Sequence, residues 1–285
     1  MRFALGYGSV MSTTPQTVGD HLRQWRQRRR LSQLDLAGEA EISTRHLSFL
    51  ETGRSQPSRE MVLLLAERLE IPLRERNVLL VAAGYAPIFS ERRWDDPALR
   101  AAREAIDLVL KGHEPYPALA VDRHWLLRSA NRAVPPLLVG VAPALLEPPL
   151  NVLRLSLHPA GLAPRIANYA EWRAHLLARL HQQIELTADP LLVDLLNELR
   201  AFPKPDGPRS GRPPATADYG GVVVPLRLKT EHGELSLFST TTVFGTPVDV
   251  TLSELAIEAF YPADERTAEI LRRVGDPPGE ARAAM

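Results

Sequence analysis

A short segment that joins two helical patterns constrains this chain more than any other feature of its 285 residues. Ser32 can cap a helix over residues 33–40, and Ser43 can cap a second helix over residues 43–52. The helical repeat predicts that the apolar side chains facing inward are Leu34, Leu36, Ala37, Ala40, Ile42, Leu47 and Leu50. Because only a few residues separate the two helices, they must cross steeply. The spacing therefore predicts a helix-turn-helix.

The outer face of the second helix stays free in this arrangement, and it can enter a DNA major groove. Arg45 can form a bidentate contact with guanine, and Phe49 can contact a thymine methyl group. Alternatively, Phe49 packs against the neighbouring helix. Gln33 is expected to contact a phosphate, as are Arg54 and Ser55 just beyond the second helix. The predicted DNA-binding residues are Gln33, Ser43, Thr44, Arg45, His46, Ser48, Phe49, Arg54 and Ser55.

The same residues resemble the helix-turn-helix of phage repressors and xenobiotic-response-element (XRE) regulators. The resemblance lies in Ser32-Gln33, Leu36-Ala37, Ser43, Leu50-Glu51-Thr52-Gly53 and Pro57-Ser58. We expect Gly53 to end the second helix in a left-handed conformation and Ser58 to cap the next helix. Glu41 departs from the pattern, because the family often has glycine at this turn. The backbone at Glu41 is therefore expected either to carry the strain of a positive φ or to turn differently.

Charge is unevenly distributed along the chain, although the net charge is zero. Residues 18–59 hold eight arginines and five acidic residues, and a local excess suffices for phosphate contact because salt screens charges beyond about 10 Å. The run Arg28-Arg29-Arg30 adds to this surface or, alternatively, is a solvated helix end.

The sequence has no cysteine, which excludes disulfides and thiolate metal sites. Without an apolar run of about 18 residues or a secretory signal, we expect a cytoplasmic protein.

Composition and turn signals divide the chain into five segments. They are a flexible N-terminal arm at 1–17, a helix-turn-helix domain at 18–87, a linker and connecting helix at 88–112, a second domain at 113–262 and a C-terminal tail at 263–285. The arm is expected either to be part of the protein or to precede the true start at Met11. The first domain is predicted to be all-α, with helices at 18–30, 33–40, 43–52, 59–69 and 73–83. Asp96-Pro97 predicts the start of the connecting helix, and Gly112 predicts its end.

The second domain combines short strands with amphipathic helices. Two strands are predicted around a turn at Asp122-Arg123, followed by a helical stretch that begins at Asn131. Two more helices are predicted at 164–186 and 189–201, and residues 203–218 are too rich in proline and glycine for regular structure. The last three strands are predicted at 222–229, 234–244 and 247–261. This order predicts an α+β domain with an antiparallel sheet.

The segment from Trp125 to Asn131 resembles the part of PAS domains in which a tryptophan-containing strand leads to an asparagine. More narrowly, the chain is similar to the MmyB-like transcription regulators, which join this type of helix-turn-helix to a PAS-like ligand-binding domain. Residues 151–159, Trp172 and the closing sheet also carry the similarity, which spans residues 18–262. The resemblance implies a hydrophobic pocket, between the sheet and the helices, that suits a fatty-acid-like molecule.

Candidate ligand-binding residues follow from that pocket, and each has a second interpretation. They are Trp125, Asn131, Arg132, Arg154, His158, Trp172, His175, Leu176 and Phe238. The large apolar residues line a cavity, or they belong to an ordinary core. The basic residues are the available partners for a buried carboxylate, which needs a cation or several donors. Asn131 contacts the ligand, or it caps the helix that it begins.

No motif in the sequence predicts catalysis. The nucleophile elbow, the paired-histidine zinc motif and the glycine-rich phosphate and dinucleotide loops are all missing from the sequence. His175 and His181 lie on roughly opposite sides of a helix, which is the wrong spacing for a shared metal ion. We therefore expect no enzymatic activity, no metal and no cofactor apart from a bound lipid.

These observations together predict a sequence-specific DNA-binding transcription regulator that responds to a small hydrophobic ligand. A homodimer on a pseudo-palindromic operator is expected. Two alternatives remain: a C-terminal domain that is a ligand-free dimerisation or protein-interaction module, and an enzyme that carries a DNA-binding domain. A cavity above about 300 Å³ would favour the sensor, and polar groups converging in it would favour the enzyme.

Overall fold

The computed structural model describes residues 16–205, 224–244 and 249–275. The chain divides between Phe89 and Ser90 into two compact units, and each unit is described by itself. Most of the predicted N-terminal arm, including Met11, lies outside the described residues. So do most of the proline-rich segment at 203–218 and the last ten residues of the predicted tail.

The N-terminal unit is built from five α-helices, as the sequence predicts. They are α1 (Val18–Arg28), α2 (Gln33–Glu39), α3 (Thr44–Glu51), α4 (Arg59–Arg68) and α5 (Leu73–Ala82). Ser32, Ser43 and Ser58 cap α2, α3 and α4 as expected, each accepting a hydrogen bond from the backbone N–H three residues later. The backbone N–H of Ser32 in turn donates to the side chain of Asp35, so the start of α2 is a capping box.

Leucine side chains from all five helices form the core of this unit. Those that are fully buried are Leu22, Leu36, Leu47, Leu50, Leu65, Leu69, Leu79 and Leu80. The prediction that Leu34 faces inward is wrong, because its side chain is 71% exposed. It lies two positions from Leu36, which is about 200° around the helix, so the two side chains cannot share a face.

The turn between α2 and α3 depends on a left-handed residue that is not glycine. Glu41 has a φ of 55°, so the strained alternative predicted for this position is the one that occurs. The backbone N–H of Glu41 donates to Gly38, and that of Ile42 donates to Ala37, which closes the end of α2. Gly53, which follows α3, has a φ of 72° and is left-handed as predicted.

The C-terminal unit surrounds one antiparallel sheet. Its helices are α6 (Arg100–Gly112), α7 (Val152–Leu157), α8 (Tyr169–Thr187), α9 (Pro190–Ala201), α10 (Val250–Ser253) and α11 (Glu265–Gly275). Its strands are β1 (Ala118–Val121), β2 (Leu127–Ala130), β3 (Leu226–Thr230), β4 (Gly233–Val243) and β5 (Ala256–Pro262). The strand order in the sheet is β2-β1-β5-β4-β3, which confirms the predicted α+β class.

The two faces of the sheet are buried by different helices. Alternate residues of β1 and β5, such as Ala120 and Ile257, pack with Ile106 and Leu110 of α6. The opposite face packs against the larger core, in which α8 contributes Trp172, Leu176 and Leu180, and α9 contributes four buried leucines. Because the side-chain direction alternates along each strand, β5 contributes side chains to both cores.

Three predicted elements need correction. Residues 250–253, predicted as strand, form α10, because Asp249 accepts hydrogen bonds from the backbone of the first turn. The predicted tail at 263–285 includes α11, whose Ile270 and Leu271 are buried in the core. The helix predicted to begin at Asn131 is a 3₁₀ helix at Pro135–Leu138, and its first two prolines have no N–H for α-helical bonding.

Asn131 is not a helix cap. Its side-chain oxygen accepts from Ala118 N at 3.1 Å, and its amide nitrogen donates to Leu110 O at 3.1 Å and to Tyr116 O at 2.7 Å. The side chain is buried, so these bonds satisfy backbone groups that water cannot reach. Asn131 therefore connects the end of α6 to the start of β1.

Glu41→Gly is expected to raise the free energy of unfolding by about 0.5–1 kcal/mol, because glycine adopts the left-handed conformation without a Cβ penalty. Urea denaturation monitored by circular dichroism would measure the change. Glu39→Gly is the matched control: Glu39 lies in the last turn of α2, where glycine should lower stability by about 1 kcal/mol. A loss of stability in both variants would show that the turn at Glu41 is not strained.

Candidate DNA-binding surface and ligand cavity

A buried carboxylate fixes the end of α3 against the rest of the N-terminal unit. Glu51 lies in the Leu-Glu-x-Gly motif, and its side chain has no exposed surface. Arg26 of α1 donates to it from Nε at 2.6 Å and from Nη2 at 2.9 Å, and Gln33 of α2 donates from Nε2 at 2.8 Å. Burial raises the pKa of Glu51, but the bonds from Arg26 and Gln33 outweigh it and hold the pKa below its usual range. Three helices are therefore joined through one charge.

The same contact requires close approach of α1 to the end of α3. A Cβ atom on Gly19 would lie 2.5 Å from the carbonyl oxygen of Leu50 and 2.8 Å from that of Glu51. The guanidinium of Arg23 also donates to the carbonyl oxygen of Glu51. Only glycine at position 19 permits this spacing. Gly19 was not among the predicted site residues, because the repressor-type motif begins at Ser32 and does not extend into α1.

The outer face of α3 presents an aromatic ring between two guanidinium groups. Arg45 lies 5.3 Å from the centre of the Phe49 ring, and Arg54 lies 5.8 Å from it. Arg45 and Arg54 are exposed, and Phe49 is half-buried. The backbone N–H groups of Arg54 and Ser55 both donate to the carbonyl oxygen of Phe49, which holds the segment after α3 beside this ring. The three side chains form a compact cationic surface.

The other predicted DNA-binding residues lie around this surface or behind it. Ser43 caps α3 by accepting from His46 N at 3.1 Å. Thr44, His46 and Ser48 are half-buried residues of α3. Gln33 is half-buried, and one of its amide hydrogens points at Glu51 rather than at solvent.

The arginine run at the end of α1 divides between structural and exposed residues. Arg29 donates to the carbonyl oxygens of Leu69 and Glu70, and its guanidinium lies over the ring of Trp25. Arg28 and Arg30 are exposed. One member of the run therefore holds α1 against the end of α4, which neither sequence-based interpretation anticipated.

The C-terminal unit contains an apolar cavity of about 100 Å³ between the sheet and the helices, which we call the inner cavity. Its wall includes Leu119, Trp125, Leu137, Leu155, Trp172, Leu176, Leu228, Leu237 and Phe260, together with Arg179 and Glu258. This volume is below the about 300 Å³ taken above to favour a sensor. It is also smaller than the about 150 Å³ cavity that holds one benzene molecule.

Hydrogen bonds hold the two tryptophans of the wall in place. The indole N–H of Trp125 donates to Gln183 Oε1 at 2.7 Å, and that of Trp172 donates to Ser156 Oγ at 3.0 Å. Trp125 also has a φ of 64°, a conformation that a bulky residue adopts only under strain. The rings are therefore oriented by specific contacts as well as by packing.

Arg179 and Glu258 form a buried ion pair on the cavity wall. Arg179 donates to the Glu258 carboxylate at 2.8 and 3.1 Å, and the Glu258 side chain is 5% exposed. The guanidinium also lies 5.0 Å from the centre of the Trp125 ring. Because the two charges cancel, the inner cavity offers a ligand no net charge.

Three of the predicted ligand-binding residues, Trp125, Trp172 and Leu176, line the inner cavity. The other six do not. Arg132 pairs with Glu114, and Arg154 pairs with Glu198.

The remaining four also have structural contacts. Asn131 joins α6 to β1, as described above, and the ring of Phe238 stacks on Tyr261. His158 packs against Phe202, and His175 packs against Trp172, where burial and the nearby Arg179 lower the pKa of its imidazole.

The spacing of Arg179 in the sequence indicates that its side chain lies on the same face of α8 as the apolar cavity residues. Trp172, Leu176 and Arg179 are spaced as i, i+4 and i+7, so they share one face of α8. A basic residue that continues an apolar helical face is a candidate for a buried charge. Its partner Glu258 carries no such signal, because strand β5 was predicted without its register.

Over residues 16–205, 224–244 and 249–275, no helix combines the length and hydropathy of a membrane span. The same residues contain no cluster of three or more potential metal ligands.

Comparison with known families assigns both units. Residues 17–79 match the model of a helix-turn-helix domain, and residues 102–274 match the model described as MmyB-like transcription regulator ligand binding domain. The second match covers more than half of the chain. The protein belongs to the MmyB-like transcription regulators. It is thus a DNA-binding transcription regulator that joins a helix-turn-helix to a ligand-binding domain.

Two curated relatives and one solved structure are also similar to this MmyB-like regulator. The transcriptional regulator ClgR of Mycobacterium tuberculosis, in strains CDC 1551 / Oshkosh and ATCC 25618 / H37Rv, is 33% identical over 97 residues, which are 34% of this chain and 84% of ClgR. The structure of an RNA-binding light-oxygen-voltage receptor aligns with 91% of this chain and with 64% of its own, less than two thirds, at 12% identity. Its TM-score of 0.24 is too low to support an argument.

Glu51→Gln is expected to lower the free energy of unfolding by about 3 kcal/mol at pH 7, because a carboxamide leaves the guanidinium of Arg26 without a counter-charge. The depressed pKa means that this contribution is fully present above pH 4.5, the usual value for glutamate, and is lost as the pH falls through the lower folded-state value. The difference between wild type and variant should therefore shrink in acid.

Chemical denaturation at several pH values would measure this difference. Glu39→Gln, at an exposed position of α2, is the matched control and should change stability by less than about 0.5 kcal/mol. A deficit in Glu51→Gln that stays constant down to pH 3 would contradict a role for the Glu51 charge.

Proposed function

We propose that this MmyB-like regulator binds an operator through α3 and senses a small hydrophobic molecule through its C-terminal unit. The observation that carries the DNA half of the proposal is the exposed surface of Arg45, Phe49 and Arg54, which Glu51 holds in place. The cavity beneath Trp125 and Trp172 supports the second half. As a DNA-binding regulator, the protein would act in the cytoplasm.

Individual residues on this surface have distinct proposed roles. Arg45 reads guanine through its guanidinium fork, and Phe49 contacts a thymine methyl group. Arg54 and Ser55 contact the phosphate backbone. Gln33 also contacts a phosphate, and its bond to Glu51 would orient its amide for that purpose. The half-buried Phe49 ring, covered by two guanidiniums, fits a dual role in packing and base contact.

The regulator is proposed to act as a homodimer. Two copies of α3 would then bind half-sites one DNA turn apart, about 34 Å, on a pseudo-palindromic operator. A single helix-turn-helix contacts few base pairs, and two-fold symmetry doubles the contacted sequence without any new recognition element.

The C-terminal unit is proposed to be a PAS-like sensor of a fatty-acid-like molecule. Two strands, a series of helices and three antiparallel strands occur in the order on which the resemblance to PAS domains rests. The small volume of the inner cavity favours the alternative of a ligand-free dimerisation module. Native mass spectrometry of the purified full-length protein decides between them, because a co-purifying lipid supports the sensor and its absence, with no binding of added lipid, supports the module.

Arg45→Ala is expected to weaken operator binding by about 1–3 kcal/mol and to leave thermal stability nearly unchanged, because the side chain is exposed and contacts a base edge. Fluorescence anisotropy on operator and random DNA would measure it. Gln33→Ala is the comparison, since a phosphate contact should weaken binding to both DNAs equally. If Arg45→Ala weakens binding to operator and random DNA equally, Arg45 contacts a phosphate and not a base.

Residues on either side of the unit boundary are hydrogen-bonded within their own unit. Ile88 and Phe89 donate from their backbone N–H groups to Asn77 of α5, and the next residue, Ser90, accepts from Val250 N. Arg92 then pairs with Asp249 at 2.6 Å. The first residues of the predicted linker at 88–112 are therefore hydrogen-bonded within the N-terminal unit, and those from Ser90 onward within the C-terminal unit.

Adding dodecanoic acid to delipidated protein is expected to change operator affinity by about 1–3 kcal/mol, the usual size of an allosteric coupling. Anisotropy titrations with and without the lipid would measure the change. A chain truncated after Phe89 should lose the response and most dimerisation. Operator affinity that does not change on protein shown to bind the lipid would favour the dimerisation module.

A further inference from the structure

A second depression, larger than the inner cavity, opens on the surface of the C-terminal unit. It has a volume of about 260 Å³, and we call it the outer cleft. The 3₁₀ helix at Pro135–Leu138, the turn between β3 and β4, and the end of α11 surround it. None of the nine predicted ligand-binding residues lines the outer cleft.

One residue, Leu137, borders both the outer cleft and the inner cavity. Its neighbours Pro136 and Leu138 line only the outer cleft and only the inner cavity, respectively. Leu228 of the inner wall and Leu235 of the outer wall are also paired across β3 and β4. The two spaces are therefore adjacent, and together they exceed the about 300 Å³ at which ligand pockets begin.

The charges at the two ends of this combined space differ. In the inner cavity Arg179 is neutralised by Glu258, so a second carboxylate there would displace Glu258 and leave it buried without its cationic partner. The outer cleft is lined by Arg165, which forms no ion pair with an acid among the described residues. Lys229 joins its wall at the edge strand β3, where its carbonyl oxygen accepts from Arg165. The acidic Glu231 at its rim lies 3.5 Å from His232.

Arg165 also holds the segment that carries Leu137. Its Nη1 donates to the carbonyl oxygens of Leu137 at 3.0 Å and Val139 at 2.6 Å, and its Nε donates to that of Lys229 at 3.0 Å. These acceptors are neutral, so they leave the positive charge of Arg165 uncompensated, and burial lowers the pKa of its guanidinium. An anion at Arg165 would compete with the carbonyl of Leu137 for the same donors.

We propose that a single amphiphile with an anionic head group and an acyl chain occupies both spaces. The head group binds in the outer cleft at Arg165, and the chain passes Leu137 into the inner cavity under Trp172. Head-group binding loosens the bonds that hold Leu137 in place, which opens the passage for the chain. The inference rests on the proposed lipid-sensing function and adds the position of the head group and the residue that divides the site.

Calorimetric titration of the delipidated full-length protein with dodecanoic acid and with 1-dodecanol tests the head-group position. Arg165→Gln should weaken dodecanoate about fivefold and dodecanol less than about twofold, because only the acid uses the charge. Arg200→Gln, at an exposed position of α9, is the matched control and should change neither. Equal effects of Arg165→Gln on both probes would overturn the assignment of the head group.

Leu137→Trp tests the passage, because a larger side chain should keep the two spaces apart. It should weaken dodecanoate and dodecanol at least about tenfold, and Leu137→Ala should bind both at least about threefold more tightly than wild type. Thermal unfolding of each variant establishes that it is folded, and Leu137→Ala provides the test if Leu137→Trp is not. Unchanged binding in both Leu137 variants would overturn the passage alone. If the wild type binds neither probe, the proposed lipid ligand fails, and this inference fails with it.

Discussion

The buried charge of Glu51 is the contact on which the geometry of the DNA-binding unit depends. A carboxylate without solvent exposure is tolerated only because Arg26 and Gln33 donate to it, and those residues come from two other helices. The requirement for their donors sets the distances from α3 to α1 and α2 more narrowly than leucine packing does. Gly19 removes the last steric obstacle to this approach. The orientation of Arg45 and Phe49 on the outer face of α3 is therefore a consequence of one ion pair on the opposite side of that helix.

A similar pair is used for a different purpose in the C-terminal unit. Arg179 and Glu258 join α8 to β5, the central strand of the sheet, at the wall of the inner cavity. Hydrophobic residues of equal size would fill that position without the cost of removing two charges from water. The pair instead keeps polar atoms next to an apolar space and fixes the ring of Trp125 by its guanidinium. Such an arrangement is more useful for recognising a ligand than for stabilising a core.

The features that could be predicted from the sequence are those that act over a few residues. Serine caps, the left-handed Gly53 and the strain at Glu41 follow from local backbone chemistry, and all occur as expected. Contacts between distant segments could not be derived: the partners of Glu51, the joining role of Asn131 and the wall position of Arg179 each depend on tertiary packing. The basic residues chosen for the ligand, Arg132 and Arg154, were plausible in charge, but they form ion pairs with neighbouring acids. Sequence gives the charge of a residue but not which partner neutralises it.

The small volume of the inner cavity is compatible with the proposed sensor on thermodynamic grounds. A ligand changes an equilibrium only if it binds two arrangements of the protein with different affinity. A site that was fully formed before binding would give the ligand little preference between them. A site divided by Leu137, with Arg165 bonded to the carbonyl of that residue, differs between the closed and the joined arrangement in both volume and available donors. An amphiphile that needs both spaces would therefore stabilise the joined arrangement selectively, and the small volume of the divided site would be the source of that selectivity.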